Sequence, residues 1–291
     1  MKYIYYLGCS LKSSAKAYDE SLRFVFKALG HDLVELDDWN CCGATSYFSV
    51  KETISLVVSS RNLALAEKLG YDLVVPCSAC YTVLYKTNEI LKNNFIMREK
   101  VNQALRRSNL EYNLSLRVRH PLEVVVNDVG LKNIAAKISR CLDGVRIAPY
   151  YGCQIVRPDR GFDDKEDPHM MDALFKVLGA ENVYFPMKVR CCGGMLMTTY
   201  PDVALKLDKE ILDSAAKNGA DLIATTCPLC QINLEAYQNK INKMFKTHYH
   251  LPVLFFTQVL GWALGGKSLE LGFNRNLIKF SLPQTKHEVL R

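Results

Sequence analysis

The sequence predicts an α/β fold built from two homologous βαβ-type halves, with cysteine motifs at the carboxyl ends of the strands. Short β-rich runs alternate with longer stretches of helical periodicity, and a set of five cysteines occurs once in each half of the chain. Each of these motifs follows a predicted strand. Strands that alternate with long helices are typical of parallel sheets, which bind ligands beyond the carboxyl ends of their strands.

The cysteines define the internal repeat. Four cysteines of the first half lie 150 positions before a cysteine of the second half, and Cys9 lies 144 positions before Cys153. The pairs at the longer offset are Cys41 with Cys191, Cys42 with Cys192, Cys77 with Cys227, and Cys80 with Cys230. The flanking letters agree as well, since YYLGC matches PYYGC and WNCCGA matches VRCCGG. We therefore expect an N-terminal domain over residues 1–144, including a helical linker, and a C-terminal domain over residues 145–291.

The elements follow one another in the same order in both halves. For the first half the patterns predict strands over 3–7, 32–36 and 72–75, with helices over 15–29 and 53–69 that end at Gly30 and Gly70. For the second half they predict strands over 146–150, 182–185 and 221–224, with helices over 170–178, 201–217 and from Pro228. Residues 96–144 form a bridge, and residues 255–264 read as a closing helix.

Composition restricts the class of protein. The chain has 291 residues, of which 49% are hydrophobic and 23% charged, so neither a disordered nor a collagen-like protein is expected. The longest apolar stretch, 251–266, is short for a membrane span and is interrupted by Thr257 and Gln258. Too few residues separate Lys2 from Cys9 for a secretory leader. We therefore expect a cytoplasmic chain whose thiols are reduced, so its 11 cysteines are ligands or catalysts rather than bridges.

Five thiolates in each half exceed what a simple metal site needs. A tetrahedral zinc ion takes four ligands, and so does a regular cubane iron–sulfur cluster. The fifth sulfur favours a larger or irregular iron–sulfur cluster, in which one thiolate bridges two irons. Zinc in at least one half and a dithiol relay through the adjacent cysteines stay open, although a disulfide between neighbouring residues is strained. Gly193 and Gly194 would let backbone approach a bulky inorganic group.

The two cysteine blocks resemble the twin cysteine-rich CCG domains of the catalytic B subunit of heterodisulfide reductase. The resemblance covers essentially the whole chain, including the closing FFTQVLGWALG segment. It implies a non-cubane [4Fe-4S] cluster in each half, a disulfide substrate bound between the clusters, and cleavage or formation of that disulfide by two one-electron steps. By motif position the cluster ligands would be Cys9, Cys41, Cys42, Cys77 and Cys80 in the first half, and Cys153, Cys191, Cys192, Cys227 and Cys230 in the second.

The substrate is less sharply indicated than the chemistry. Gln154 follows Cys153, and Gln231 follows Cys230, where the methanogenic enzymes are expected to have histidine. Glutamine cannot donate a proton at neutral pH as imidazole can. Two kinds of substrate therefore stay open: the coenzyme M–coenzyme B heterodisulfide, and a lipoyl or other thiol as in bacterial and sulfur-oxidising heterodisulfide-reductase-like complexes. A subunit that only transfers electrons or serves as a scaffold is the main alternative, and a zinc-binding module is a third.

Partners are implied by motifs that the chain lacks. The sequence contains neither a ferredoxin cysteine run nor a nucleotide-binding glycine loop. The resemblance then implies a separate ferredoxin-like iron–sulfur subunit and a flavin-containing subunit. Arg157 and Arg190 would stabilise a reduced cluster or an anionic substrate. We interpret the formal charge of +7 as positive charge that balances the thiolates, rather than as a sign of nucleic-acid binding. Cys141 has no counterpart and is expected to be a buried structural thiol.

Overall fold

The computed structural model of the protein describes residues 1–44, 51–158 and 161–280. Each half contains a four-stranded parallel sheet, with the order β2-β1-β3-β4 in the first and β6-β5-β7-β8 in the second. The strands are β1 (Lys2–Tyr5), β2 (Asp32–Glu35), β3 (Leu73–Val74), β4 (Val118–Arg119), β5 (Arg146–Tyr150), β6 (Glu181–Asn182), β7 (Leu222–Thr225) and β8 (Val253–Phe255). The identical order of the two sheets confirms the predicted α/β class and is what an internal duplication produces.

Helices connect these strands. In the first half they are α1 (Gly8–Lys12), α2 (Lys16–Leu29), α3 (Glu52–Glu67), α4 (Ser78–Asn93), α5 (Phe95–Leu105), α6 (Pro121–Glu123) and α7 (Leu131–Ala135). In the second half they are α8 (Met170–Val177), α9 (Pro201–Lys217), α10 (Pro228–Ala236), α11 (Gln238–Phe245) and α12 (Phe256–Ala263). A π-helical segment, Val124–Gly130, joins α6 to α7, and short 3-10 turns cover Arg106–Ser108, Gly194–Leu196 and Phe273–Arg275.

The predicted helix end at Gly30 is confirmed in detail. Gly30 has φ 84°, and its amide donates to the carbonyl of Lys27 at 3.1 Å, while the amide of His31 donates to Phe26 at 2.9 Å. Glycine adopts this left-handed conformation without a Cβ clash, so the chain turns sharply from α2 into β2. The helix therefore packs back on the sheet and brings the next cysteine motif to the same sheet edge as Cys9.

The fourth strand of each sheet was missed by the sequence analysis. β4 lies within the segment read as a bridge, and Phe255, predicted to be in the closing helix, is the last residue of β8. Both strands are only two or three residues long, too short to show an alternating pattern. The second predicted strand of the second half, 182–185, is shorter than expected, because pairing with β5 ends at Asn182.

The two halves pack on one another through α2 and α12. The ring of Tyr18 stacks on Phe255 with 4.4 Å between the ring centroids, and the hydroxyls of Ser21 and Thr257 are 2.6 Å apart. The guanidinium of Arg275 donates to the Glu20 carboxylate at 2.7 and 2.8 Å. One hydrophobic cluster consequently includes residues from both halves. Among the described residues, no helix is long and apolar enough to cross a membrane.

Candidate metal centres

Each of the six cysteine motifs lies in the segment that follows the carboxyl end of a strand, as predicted, at distances from two residues after β7 to nine residues after β6. In the first half, Cys9 follows β1, the pair Cys41 and Cys42 follows β2, and Cys77 and Cys80 follow β3. In the second half the same places after β5, β6 and β7 are taken by Cys153, then Cys191 and Cys192, then Cys227 and Cys230. Because β1 lies between β2 and β3, and β5 lies between β6 and β7, the three motifs of each half follow three adjacent parallel strands.

The thiols of the first half interact with one another. The sulfur of Cys42 lies 3.0 Å from that of Cys80. Hydrogen bonds from Cys41 and then Cys80 lower the pKa of Cys42 to about 4, whereas donation to Cys42 raises the pKa of both partners. Cys77 also interacts with Cys80 through a hydrogen bond between their side chains. A thiolate is therefore favoured at the centre of the group, which is the protonation state that a metal ligand requires.

The second half repeats this arrangement. The sulfurs of Cys192 and Cys230 are 3.5 Å apart and correspond to the Cys42–Cys80 pair. A hydrogen bond from Cys153, together with the amide of Gly193 at 3.3 Å, lowers the pKa of Cys191 to about 6. The hydrogen bond from Cys230 lowers the pKa of Cys227. Side-chain contacts thus link Cys41, Cys42, Cys77 and Cys80 in the first half. In the second half they link Cys153 to Cys191, and Cys230 to both Cys192 and Cys227. Cys9 acts on Cys41 through its charge.

Each group has a buried side and an open side. The inner thiols are buried, namely those of Cys42, Cys77, Cys80, Cys192, Cys227 and Cys230. The outer thiols of Cys9, Cys41 and Cys191 are exposed, and that of Cys153 is half-buried. A cofactor held by these thiols would be bound from the protein interior and would remain accessible to solvent from one side.

Two glycines provide the room that a bulky sulfur-bound group needs. Gly8 and Gly152 lie at φ 66° and 71°, and a Cβ on Gly152 would come within 3.0 Å of the Cys230 sulfur. A Cβ on Gly8 would lie 3.7 Å from the Cys80 sulfur. Ten thiols, arranged around this glycine backbone in two equivalent groups, fit an iron–sulfur cofactor by their chemistry. Within the described ranges, no three His, Cys, Asp or Glu side chains converge as a single-ion site.

Gly193 and Gly194 are required mainly by protein packing. A Cβ on Gly193 would lie 2.8 Å from the Cα of Ala204 in α9, and one on Gly194 would lie 2.6 Å from Cγ of Leu229. Gly194 is also close to a thiol, since its Cβ would lie 3.4 Å from the Cys192 sulfur. These glycines hold the Cys–Cys loop against α9 and α10, in addition to leaving space near the sulfurs.

The remaining predicted residues divide into two kinds. The Gln154 amide is 4.0 Å from the sulfur of Cys153, and Arg157 donates to the Cys153 carbonyl at 3.3 Å and electrostatically favours the Cys191 thiolate. Gln231 is buried and donates instead to Glu235 at 2.7 Å. Arg190 is exposed and contributes its backbone carbonyl to the loop. Gln154 and Arg157 therefore lie at the open side of the second group.

Two tyrosines that the sequence analysis did not single out support the loops before the Cys–Cys pairs. The hydroxyl of Tyr6 donates to the carbonyl of Asn40 at 2.8 Å, and that of Tyr150 donates to the carbonyl of Arg190 at 2.6 Å. Burial, and then the charge of neighbouring thiolates, raises the pKa of both tyrosines, which stay neutral donors. The sequence did contain a signal for these two tyrosines, because both belong to the repeated YYLGC and PYYGC segments.

Asp208 is a further residue that was missed. It lies on α9, its side chain is fully buried, and neither carboxylate oxygen has a hydrogen-bond partner among the described residues. Burial, followed by the charge of Cys191, raises its pKa to about 8. The first half has Val58 at the corresponding position, so this carboxyl distinguishes the second site from the first.

Cys141 stands apart from both groups. Its sulfur donates to the Asp143 carboxylate at 2.9 Å and lies against Gly179. It is half-buried, so the expectation of a buried thiol was wrong, because the residue lies in an irregular segment just before the turn at Asp143 and Gly144.

The fold and the thiol groups define a duplicated α/β protein with a five-cysteine site beyond the carboxyl edge of each sheet. The model of the cysteine-rich domain family CCG matches residues 3–85 and 147–235. The chain is 33% identical over 272 residues to a protein of Archaeoglobus profundus that is named as similar to the B subunit of heterodisulfide reductase, covering 91% of each chain. It therefore belongs to the family of heterodisulfide reductase B subunits with two CCG domains, which confirms the resemblance.

Two other relatives have more specific names. The chain is 30% identical to the B subunit of the ferredoxin:CoB-CoM heterodisulfide reductase of Methanosarcina mazei, over 94% of this chain and 93% of that one. It is 32% identical to the 8-methylmenaquinol:fumarate reductase membrane anchor subunit of Wolinella succinogenes, over 95% and 97%. Among solved structures, a hypothetical protein from Helicobacter pylori matches with a TM-score of 0.80 at 18% identity, covering 96% of this chain. The present chain spans 52% of that protein, and the likeness concerns the fold.

Proposed function

We propose that this protein is the iron–sulfur subunit of a heterodisulfide-reductase-like complex and cleaves or forms a disulfide at two cysteine-held clusters. The observation that carries the proposal is the repeated five-thiol group, in which a buried sulfur pair and a more open pair of outer cysteines recur at equivalent places. Membership in the family of heterodisulfide reductase B subunits supports an oxidoreductase that transfers electrons through iron and sulfur.

The residues that would hold the clusters are the ten cysteines of the two groups. They are Cys9, Cys41, Cys42, Cys77 and Cys80 in the first half, and Cys153, Cys191, Cys192, Cys227 and Cys230 in the second. A non-cubane [4Fe-4S] cluster in each half would supply a site that accepts or donates one electron.

The chain itself would orient and shield these sites. Its buried thiols exclude water from the inner side, and the Tyr6 and Tyr150 hydroxyls hold the loops that carry the adjacent cysteines. Arg157, at the open side of the second site, would attract an anionic thiol substrate. Two equivalent sites facing one substrate suit a disulfide, since each of its two sulfurs needs one electron.

Metal analysis of anaerobically purified protein tests the cofactor. We expect about eight irons per chain, for two four-iron clusters. One or two zinc ions without iron would instead support the zinc-binding alternative and would refute the proposed chemistry.

The substrate and partners require a second experiment. A separate ferredoxin-like subunit and a flavin-containing subunit are proposed as electron donors, in line with the Methanosarcina relative, whose name includes ferredoxin. With a chemical reductant, the loaded protein should cleave coenzyme M–coenzyme B heterodisulfide, lipoamide or a related disulfide, and both thiols should be recovered in equal amounts.

An electron-transfer role without disulfide chemistry is the second candidate. The Wolinella relative, which covers nearly the full length of both chains, is named as a subunit of a methylmenaquinol:fumarate reductase rather than of a disulfide reductase. A loaded protein that is oxidised by a quinone or by a fumarate reductase, and that turns over none of the disulfides, would favour this role.

A further inference from the structure

Helix α4 of the first half contacts the loop that carries Cys153 in the second half. The hydroxyl of Thr82, on α4, donates to the carbonyl of Gln154 at 2.6 Å, and the Ser78 carbonyl of its own helix is farther away, at 2.9 Å. Gln154 directly follows Cys153 in the chain. Thr82 lies two residues beyond Cys80 on the same helix. One hydrogen bond therefore joins two segments that each carry a proposed ligand, one from each half.

A second route leads from α4 to the same loop. The Ser78 hydroxyl lies 3.2 Å from the hydroxyl of Thr226, which directly follows β7. The Thr226 hydroxyl in turn donates to the carbonyl of Tyr151 at 3.2 Å. In the chain, Cys153 lies between the carbonyls of Tyr151 and Gln154. The loop is therefore held on both sides of its cysteine by hydrogen bonds that lead back to α4.

The loop around Cys153 depends on this support because it lies outside regular secondary structure. In the first half, Cys9 lies within α1, and the backbone hydrogen bonds of that helix hold the chain. Cys153 lies in a series of turns, and the next helix, α8, begins only at Met170. The outer cysteine of the second half is consequently positioned through contacts with the first half.

The internal repeat shows that a helix at this place does not itself need the two hydroxyls. The counterpart of α4 in the second half is α10. Pro228 of α10 lies 150 positions after Ser78, and Ile232 has the same offset from Thr82. Neither of these side chains can donate a hydrogen bond. Both hydroxyls of α4 are buried, where a hydroxyl lowers stability unless it is hydrogen-bonded, so their presence on α4 is explained by the contact with the loop.

We propose that Thr82 is a positioning residue that sets the distance between the two proposed centres, so that a single disulfide can meet both. This inference rests on the proposed function, because it takes the cysteines of both groups as ligands. Cys153 is half-buried at the open side of its group, 4.0 Å from the side-chain amide of Gln154. The hydrogen bond from Thr82 keeps this thiol in a fixed place relative to Cys80. A looser loop would align the two substrate sulfurs poorly with the centres and slow the reacting step.

Electron paramagnetic resonance of the anaerobic, iron-containing protein tests the distance. With one electron in each centre, the two unpaired spins interact through a dipolar coupling that depends on their separation. Thr82→Val keeps the shape of the side chain without its hydroxyl and should change or broaden this coupling. Thr82→Ser keeps the hydroxyl and should restore the wild-type spectrum. All of these variants should retain the iron content of the wild type.

Thr87→Val is the matched control. Thr87 is buried on the same helix, and its hydroxyl has no hydrogen-bond partner in the described chain. The substitution is therefore chemically the same as Thr82→Val but removes no contact with the second half. It should leave the coupling between the centres unchanged.

Hydrogen exchange of the same iron-containing proteins provides a readout that does not depend on turnover. The amides of residues 152–157 should exchange about fivefold faster in Thr82→Val than in the wild type, which is the effect of losing one hydrogen bond. Exchange of this segment should be unchanged in Thr87→Val. Ser78→Ala removes the second route and should also speed exchange there.

Turnover separates positioning from simple stabilisation. With lipoamide as the disulfide, kcat of Thr82→Val should fall roughly tenfold while KM changes little, because the reacting geometry is affected more than binding. Faster exchange together with wild-type coupling and kcat would assign Thr82 a purely structural role and overturn the proposal, as would wild-type exchange in Thr82→Val. The coupling and the exchange decide the proposal even where lipoamide is not a substrate. A wild type without iron would refute the proposed function, whereas iron with wild-type coupling in Thr82→Val would refute this inference alone.

Discussion

Asp208 shows how a single residue can make two homologous sites different. The repeat places valine at the corresponding position 58, so the fold has no need of a carboxyl on this face of α9. Both oxygens of Asp208 lack partners in the described chain, and burial raises its pKa to about 8. A carboxyl in such a place stays neutral near pH 7 in the folded protein, whereas it is ionised and solvated in the unfolded chain, and this difference lowers the stability of the fold.

The sign of the pH dependence follows from that raised pKa. An acid whose pKa is higher in the folded than in the unfolded state costs no stability below its ordinary pKa. The cost grows as the pH rises from 3.8 toward 8. Asp208→Asn should therefore be more stable than the wild type at pH 8, by at least about 2 kcal/mol, with the difference shrinking toward pH 4.

Urea unfolding of the iron-free proteins at several pH values measures this difference. Comparison with the wild type at each pH removes the titration of the cysteines other than Cys191, whose charge acts on Asp208. A difference in unfolding free energy that is independent of pH would show that Asp208 ionises with its ordinary pKa in the folded protein and would contradict the prediction.

The loop that joins β5 to its cysteine motif illustrates how an element positions a sulfur. Gly152 turns the chain at φ 71°, and a Cβ at this residue would point toward the Cys230 sulfur on α10. Gly144, in the turn before β5, has a similar φ of 78°, but a Cβ there would meet no described atom within 4 Å. The two glycines thus share the backbone requirement and differ only in what lies nearby.

Alanine at these two positions should separate strain from site disruption. Gly152→Ala and Gly144→Ala should each lose about 1 kcal/mol of unfolding free energy through the unfavourable backbone conformation. Only Gly152→Ala should also lose iron, because its Cβ would lie 3.0 Å from a proposed ligand sulfur. Iron analysis and urea unfolding of both variants check this, and equal iron contents would argue against Cys230 as a ligand.

The sequence predicted structure well where a residue pattern is long or repeated, and less well where contacts between distant residues determine the structure. The helix over 201–217 and the strand over 146–150 were predicted with their observed limits, since each is long or bounded by a clear stop signal. β4 and β8 were missed because their pairing partners, not their own short sequences, make them strands. The cysteines were found from their spacing alone, whereas Asp208 became notable only through burial without a partner in the described chain.

At the scale of the whole molecule, the two sites lie in halves that are packed against one another. Tyr18 of the first half packs on Phe255 of the second, and Arg275 near the end of the described chain pairs with Glu20 near its start. A single hydrophobic cluster crosses between the halves. Loss of structure at one sheet therefore exposes apolar surface of the other.

Removal of one ligand should consequently weaken the entire chain. Since the proposed clusters gather ligands from three segments of each half, their binding free energy contributes to folding. Cys42→Ala should reduce the iron content by about half, from two four-iron clusters to one, and lower the temperature of a single calorimetric transition. Cys141→Ala, which removes a thiol outside both groups, is the control and should keep its iron. Two separate transitions in Cys42→Ala would show that the halves unfold independently, and an unchanged iron content would exclude Cys42 as a ligand.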